Sequence, residues 1–172
     1  MKWKVRPYHP ATDEETIIRF HLELLREHYK LWSQITESDY DPDYWEQMMR
    51  EKEVGRRWGE ELAERVGQKH VYLRVFTPPD DDHPIGYLYQ DIRPDPHMFH
   101  PAGYINEIYL EPAYRGRGWS RAMLEDGEHW FRERGIATRQ VFVTSNNLAA
   151  VKLYTSLGYR VADYRMMKAE DE

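Results

Sequence analysis

The chain has 172 residues, no cysteine, and 24 Lys and Arg against 30 Asp and Glu, for a formal net charge of -6. That length suits one substantial core, so a single domain over residues 1–172 is expected. The missing cysteine excludes a disulfide framework, thiolate metal sites and a catalytic thiol, and the acidic balance speaks against a nucleic-acid partner.

The opening "MKWKVRPYHP" lacks an apolar signal-peptide core, and no apolar run approaches the roughly 18 residues that span a bilayer. A soluble, cytoplasmic protein without a membrane partner is therefore expected. Within "KWKVRPY", Trp3 and Val5 alternate with polar residues as a strand would. Thr12 or Asp13 then caps a helix whose face carries Ile17, Phe20, Leu24, Leu25 and Tyr29, with a stop near Trp32. An acidic stretch, Glu37 to Glu46, reads as a solvated loop, as do Asp80 to His83 and the terminal "EDE".

Trp45, Met48, Met49, Trp58, Leu62 and Val66 recur at helical intervals interrupted around Gly55, giving one broken helix or two short ones. Residues 70–76 and 84–92 alternate around a polar "TPPDDDH" loop and predict a hairpin; a third strand covers 102–110. A helix follows from Trp119 to a stop at Gly135. Next come a strand over 139–145, a short helix closed by Gly158, and a last strand over 159–167.

Between the third strand and the Trp119 helix lies "YRGRGWSRAML", Tyr114 to Leu124. A glycine-rich turn leading from a strand into a helix presents unpaired N–H groups at the positive end of the helix dipole, which suits phosphate. Gly116 and Gly118 free the backbone there, and Arg115, Arg117 and Arg121 add charge. A P-loop would need Lys then Ser or Thr after the second glycine, where Trp119 stands. A dinucleotide fingerprint would need Gly or Ala at Arg121.

The remaining pattern, Arg115, Gly118 and Ser120 in Arg-x-x-Gly-x-small, resembles the coenzyme turn of the GNAT superfamily of N-acetyltransferases, with serine where glycine or alanine is usual. "NLAAVKLYTSLGY", Asn147 to Tyr159, resembles the family's second signature, and "YINEIYLEP" is similar to its fourth strand. The resemblance implies a mixed α/β (α+β) fold, with a central mixed, mostly antiparallel sheet flanked by helices. It also implies acetyl-coenzyme A as cosubstrate, seated on Leu110, Arg115, Gly116, Arg117, Gly118, Trp119, Ser120 and Asn147. Asn147 reads equally as a helix N-cap, and Tyr154 as a core residue.

Acetyl transfer to an amine needs a base, because an alkyl ammonium with a pKa of about 10.4 is less than roughly one part in a thousand free at neutral pH. By resemblance Glu107 is the candidate base, with Asp91 in reserve, and Tyr154 the general acid for the leaving thiolate. Strand alternation puts Glu107 on one face with Ile105 and Tyr109, leaving Asn106 and Ile108 on the other. With no cysteine for a covalent acetyl-enzyme, transfer should be direct, in a ternary complex.

Asp39, Tyr40, Tyr44, Trp45 and Asp91 suit a small cationic amine, such as a polyamine or an aminoglycoside-like molecule, as the acceptor. A protein N-terminus or lysine is the alternative acceptor, and a non-catalytic acyl-coenzyme A sensor the alternative from another class. His97 and His100 alone do not make a metal site, so none is expected. Oligomeric state stays open between monomer and homodimer.

Overall fold

Five strands form one sheet in the order β1-β2-β3-β4-β5. The computed structural model describes residues 3–169, so the terminal Glu170 to Glu172 cluster lies outside the described residues. The elements are β1 (Lys4–Pro7), α1 (Pro10–Thr36), α2 (Pro42–Glu51), α3 (Val54–Arg65), β2 (Val71–Thr77), β3 (Gly86–Pro94), β4 (Pro101–Leu110), α4 (Trp119–Glu133), β5 (Arg139–Val141) and α5 (Leu148–Ser156). Strands β1 to β4 pair antiparallel and β5 joins β4 in parallel, so the sheet is mixed and mostly antiparallel, as expected.

The chain forms two compact units. The first takes the residues up to His21 with Gly55–Phe142, and so holds the sheet, the first turns of α1, α3 and α4. On one sheet face α4 buries Met123, Leu124, Trp130 and Phe131. There Gln90 donates through Nε2 to the Gly127 carbonyl at 2.8 Å, and Tyr72 meets Trp130 edge-on at 5.6 Å. On the opposite face Phe20 of α1 stacks on Tyr109 at 4.3 Å, and Trp58 of α3 meets Tyr89 at 5.8 Å. Each such buried side chain contributes roughly 1.5–3 kcal/mol.

The second unit takes Leu22–Val54 and the residues from Val143 onward. Trp45 of α2 stacks on Tyr29 of α1 at 4.0 Å, Arg26 pairs with Glu46, and Asn146 donates to the Leu31 carbonyl at 2.9 Å. Part of the expected acidic loop is helical, because Asp41 caps α2 by accepting from the Asp43 and Tyr44 N–H groups at 3.0 and 3.1 Å.

Several boundaries differ from the sequence expectation. Helix α1 starts at Pro10, and Asp13 serves it from within the first turn, accepting from the His9 N–H at 2.8 Å while Arg6 grips its carboxylate. It runs past Trp32 to Thr36 and ends where Glu37 turns left-handed at φ 56°. The break between α2 and α3 falls at Glu53, φ 50°, with Gly55 inside α3. A side-chain-bearing residue takes the left-handed turn there, at a cost of about 1–2 kcal/mol that the sequence does not advertise.

Strand β5 keeps only three of the seven residues expected to be extended, and 159–167 forms no strand. Alternation specifies which face a strand presents, but a strand exists only where an edge is available to pair with. Val161, Tyr164 and Met166 are accordingly exposed.

Gly103 lies against α4: a Cβ there would stand 2.4 Å from a ring carbon of Phe131. Gly103→Ala should therefore destabilise the protein by about 1–3 kcal/mol through overpacking, read as a lower urea midpoint at unchanged slope. An unchanged midpoint would mean that the ring yields freely.

Candidate active site

The site starts from an irregularity in β4. Tyr89 pairs with Glu107 and Gln90 with Ile105, so Asn106 is an extra residue, a β-bulge. Adjacent residues of β3 face opposite ways and paired residues face the same way. Glu107 therefore shares the α1/α3 face with Tyr89, and Ile105 shares the α4 face with Gln90. The expected grouping of Glu107 with Ile105 is corrected: the bulge resets the alternation, while Glu107 and Tyr109 stay together.

On that face the Glu107 carboxylate accepts from the Tyr87 hydroxyl through Oε1, and His21 Nδ1 stands 2.8 Å from Oε2. His21 is fixed by stacking flat on Trp58 at 4.1 Å. Burial pushes the Glu107 carboxyl above its ordinary value; the His21 hydrogen bond and charge draw it partly back, and Glu61 adds to the rise. Glu107 lines a pocket of about 260 Å³ together with Trp58, Glu61, Arg65, Tyr89 and Arg93. The reserve carboxylate, Asp91, is 2% exposed and held beside Arg93, whose Nε is 3.7 Å away.

The same bulge bends β4 away from β5, whose ladder ends at the Ile105–Val141 pair. Among the described residues, β4 from Asn106 to Leu110 has a strand neighbour on the β3 side alone. The Glu111 N–H donates to the Ile85 carbonyl at 2.8 Å, so by antiparallel alternation the N–H groups of Leu110 and Ile108 point to the open side. A second group can lie in that gap and be hydrogen-bonded by the strand.

After β4, a short 3-10 turn at Pro112–Tyr114 leads into the glycine-arginine turn. Gly116 and Gly118 take φ 75° and 81°, with open space where a Cβ would stand, so both glycines answer a backbone requirement rather than crowding. Gly118 is the N-cap of α4, and among the described residues that end has no side-chain cap hydrogen bond. The N–H groups of Trp119 and Ser120 thus stand at an uncapped helix start. The Trp119 ring is buried against Tyr114 and Trp3, so its backbone alone is available to a ligand.

The arginines divide their work. Arg115 donates through Nε to the Leu110 carbonyl at 2.7 Å and lies over the Tyr109 ring, tying the turn to the end of β4. Arg121 pairs with Glu125 one turn along α4 at 2.8 Å, and Arg117 is exposed.

The remaining candidates belong to the second unit. Asn147 caps α5, accepting from the Ala150 N–H at 3.2 Å, which is the structural role of its two readings. Tyr154 is buried, 6% exposed, with its ring edge-on to Tyr159; burial pushes its phenol well above the ordinary value. Trp45 is engaged with Tyr29, Tyr44 and Asp39 are exposed, and Tyr40 is half-buried.

Sequence reading missed His21, Tyr87, Glu61, Arg65 and Arg93. His21 carried a usable signal: with Ile17, Phe20 and Leu24 it occupies positions i, i+3, i+4 and i+7, a polar residue inside an apolar helical stripe. Among the described residues no group of three His, Asp or Glu is arranged to hold a metal ion, and no helix is long and apolar enough to cross a membrane.

The family model for the acetyltransferase (GNAT) family matches residues 22–159. A mycothiol acetyltransferase of Nocardia farcinica is 37% identical over 62 residues, covering 36% of this chain and 20% of that protein. The chain spans about a fifth to somewhat over a third of the length of the curated relatives it matches. Among solved structures, a GCN5-related N-acetyltransferase from Ralstonia eutropha superposes with a TM-score of 0.71 at 21% identity, over 96% of this chain and 97% of that one. An aminoglycoside antibiotic 6'-N-acetyltransferase from Acinetobacter haemolyticus gives a TM-score of 0.59 at 16% identity, over 98% and 99%.

Proposed function

Since this chain belongs to the GNAT acetyltransferase family, we propose that it transfers the acetyl group of acetyl-coenzyme A directly to a small primary amine, with Glu107 as the base. The carrying observation is the Glu107 carboxylate itself: half-buried with its side chain 14% exposed, held by Tyr87 and His21, and lining a pocket beside the open stretch of β4. The family match runs through residues of both compact units, which supports a single working domain.

The residues fit the cosubstrate at two places. The uncapped start of α4 offers N–H groups to the pyrophosphate, and the outward N–H groups of Ile108 and Leu110 suit the pantetheine arm and the thioester oxygen. When bound, the coenzyme supplies an acetyl group on a good thiol leaving group. A fixed donor at the carbonyl oxygen is worth about 2.7–4 kcal/mol as negative charge develops there.

Glu107 removes the ammonium proton, and its raised pKa brings it closer to the amine in basicity than an ordinary carboxylate. His21 orients that carboxylate from behind. Tyr154 returns a proton to the thiolate. An ordinary phenol-to-thiolate transfer is uphill by about 2 kcal/mol, and the raised Tyr154 value makes it steeper, so the proton moves with bond cleavage rather than after it.

The acceptor is small and cationic in its reacting part. Glu61 and Glu107, together with Trp58 and Tyr89, form a carboxylate-and-aromatic lining that suits an ammonium. The aminoglycoside acetyltransferases among the structural neighbours support an amine of this kind.

A panel of primary amines with acetyl-coenzyme A and colorimetric thiol detection should give amine-dependent thiol release. Coenzyme binding without release on any amine would instead make the chain a coenzyme-binding module.

Activity requires ionised Glu107, so it falls as pH drops through the Glu107 pKa, above the ordinary glutamate range. His21→Ala removes an interaction that lowers this pKa, so the acidic limb of the rate profile should move to higher pH, and Glu107→Gln should flatten it. An unmoved limb in both variants would assign the base elsewhere. Tyr154→Phe should cut kcat at least ten-fold with little change in coenzyme affinity; parental kcat would remove Tyr154 from the chemistry.

A further inference from the structure

The Glu107 pocket is not uniformly acidic. Arg65 at the end of α3 and Arg93 near the end of β3 line it together with Glu61 and Glu107, so it presents two cations and two carboxylates within about 260 Å³. Arg93 is partly committed: its Nη2 donates to Asn106 Oδ1 at 3.2 Å, its plane lies 4.0 Å over the Tyr104 ring, and its Nε is 3.7 Å from Asp91. Arg65 makes no side-chain hydrogen bond or ion pair among the described residues.

A polycation would have to share this pocket with the Arg65 and Arg93 guanidinium groups, and a simple monoamine would leave Arg65 unpaired once water is displaced, Arg93 keeping Asp91 beside it. A molecule with one amine and one carboxylate can pair its ammonium with Glu107 or Glu61 and its carboxylate with Arg65. The guanidinium fork of Arg65 matches a carboxylate in two parallel hydrogen bonds. The pocket volume also lies below the roughly 300–1,000 Å³ of sites for drug-sized ligands, which favours a compact acceptor.

Resting on the reading of Glu107 as the base of an amine acetyltransferase, the geometry points to an amino-acid-like zwitterion as the acceptor. The reacting amine lies at Glu107 and Glu61, and the carboxylate is held by Arg65 with Arg93 beside it. Glu107 takes one proton from the ammonium, the freed amine nitrogen attacks the thioester carbonyl, the carbon–sulfur bond breaks as Tyr154 gives its proton to the sulfur, and the second proton lost from nitrogen returns to the Tyr154 oxygen. Arg65 takes no part in that exchange; it determines specificity.

The test uses matched acceptors differing only at the far group: 4-aminobutyrate against putrescine, lysine against cadaverine, and tyrosine against tyramine. Each is assayed for thiol release and, separately, for equilibrium binding to the coenzyme A-loaded protein. The carboxylate-bearing member should have at least a ten-fold higher kcat/KM in one or more pairs, carried mainly by KM. Arg65→Gln should reduce that ratio at least five-fold, with an unchanged melting temperature as the control for folding; Arg65→Lys should restore part of it.

Turnover with equal or inverted preference in all pairs overturns this inference and leaves the acetyltransferase reading standing. Binding preference for the carboxylates without turnover leaves the pocket assignment standing and overturns the catalytic reading. Neither turnover nor preferential binding overturns both.

Discussion

The bulge at Asn106 is the constraint on which the site depends. One residue too many in β4, opposite the Tyr89–Gln90 step, reverses the facing of everything before it relative to everything after it. It puts Ile105 under α4 and Glu107 under α1 and α3, and it ends the β4–β5 ladder after three residue pairs. The placement of the Glu107 carboxylate and the open strand edge are thus two consequences of a single insertion. Without it, regular alternation would carry Glu107 to the α4 face and the ladder could continue toward Leu110.

Moving a carboxylate into that position has an energetic cost. An ion of this size loses several kcal/mol of hydration when buried, whereas each charge-assisted hydrogen bond returns about 1.5–3 kcal/mol. Tyr87 and His21 both hydrogen-bond the carboxylate, and the His21 contribution offsets only part of the rise that burial imposes on the carboxyl. The stack of His21 on Trp58 matters for the same reason: it holds the imidazole where its charge acts on Glu107.

Much of this was legible in the sequence. The order of elements through α5, the left-handed glycine turn at Gly116 and Gly118, and the family followed from local patterns, because glycines at left-handed positions and apolar periodicity leave direct traces. The bulge leaves no such trace: "YINEIYL" reads as unbroken alternation, and only the register with β3 reveals that Asn106 is extra. The same holds for β5, for the unformed strand over 159–167 and for the break at Glu53, where pairing or tertiary context decides. Glu107 could be singled out, but its partners come from α1 and β3, at distances along the chain that no local pattern spans. Asn147 shows the converse, a residue with two readings for which the structure displays the helix cap.

The central claim is that Glu107 is a half-buried carboxyl whose pKa desolvation raises, which would bring it closer to an amine in basicity. A pH titration of the protein labelled with carbon-13 at the glutamate side-chain carboxyls, with the Glu107 resonance assigned by its loss in Glu107→Gln, measures this without recourse to turnover. The account predicts a midpoint clearly above the glutamate value of about 4.3, moving further up in His21→Ala. A midpoint at or below that value, indifferent to His21, would contradict it.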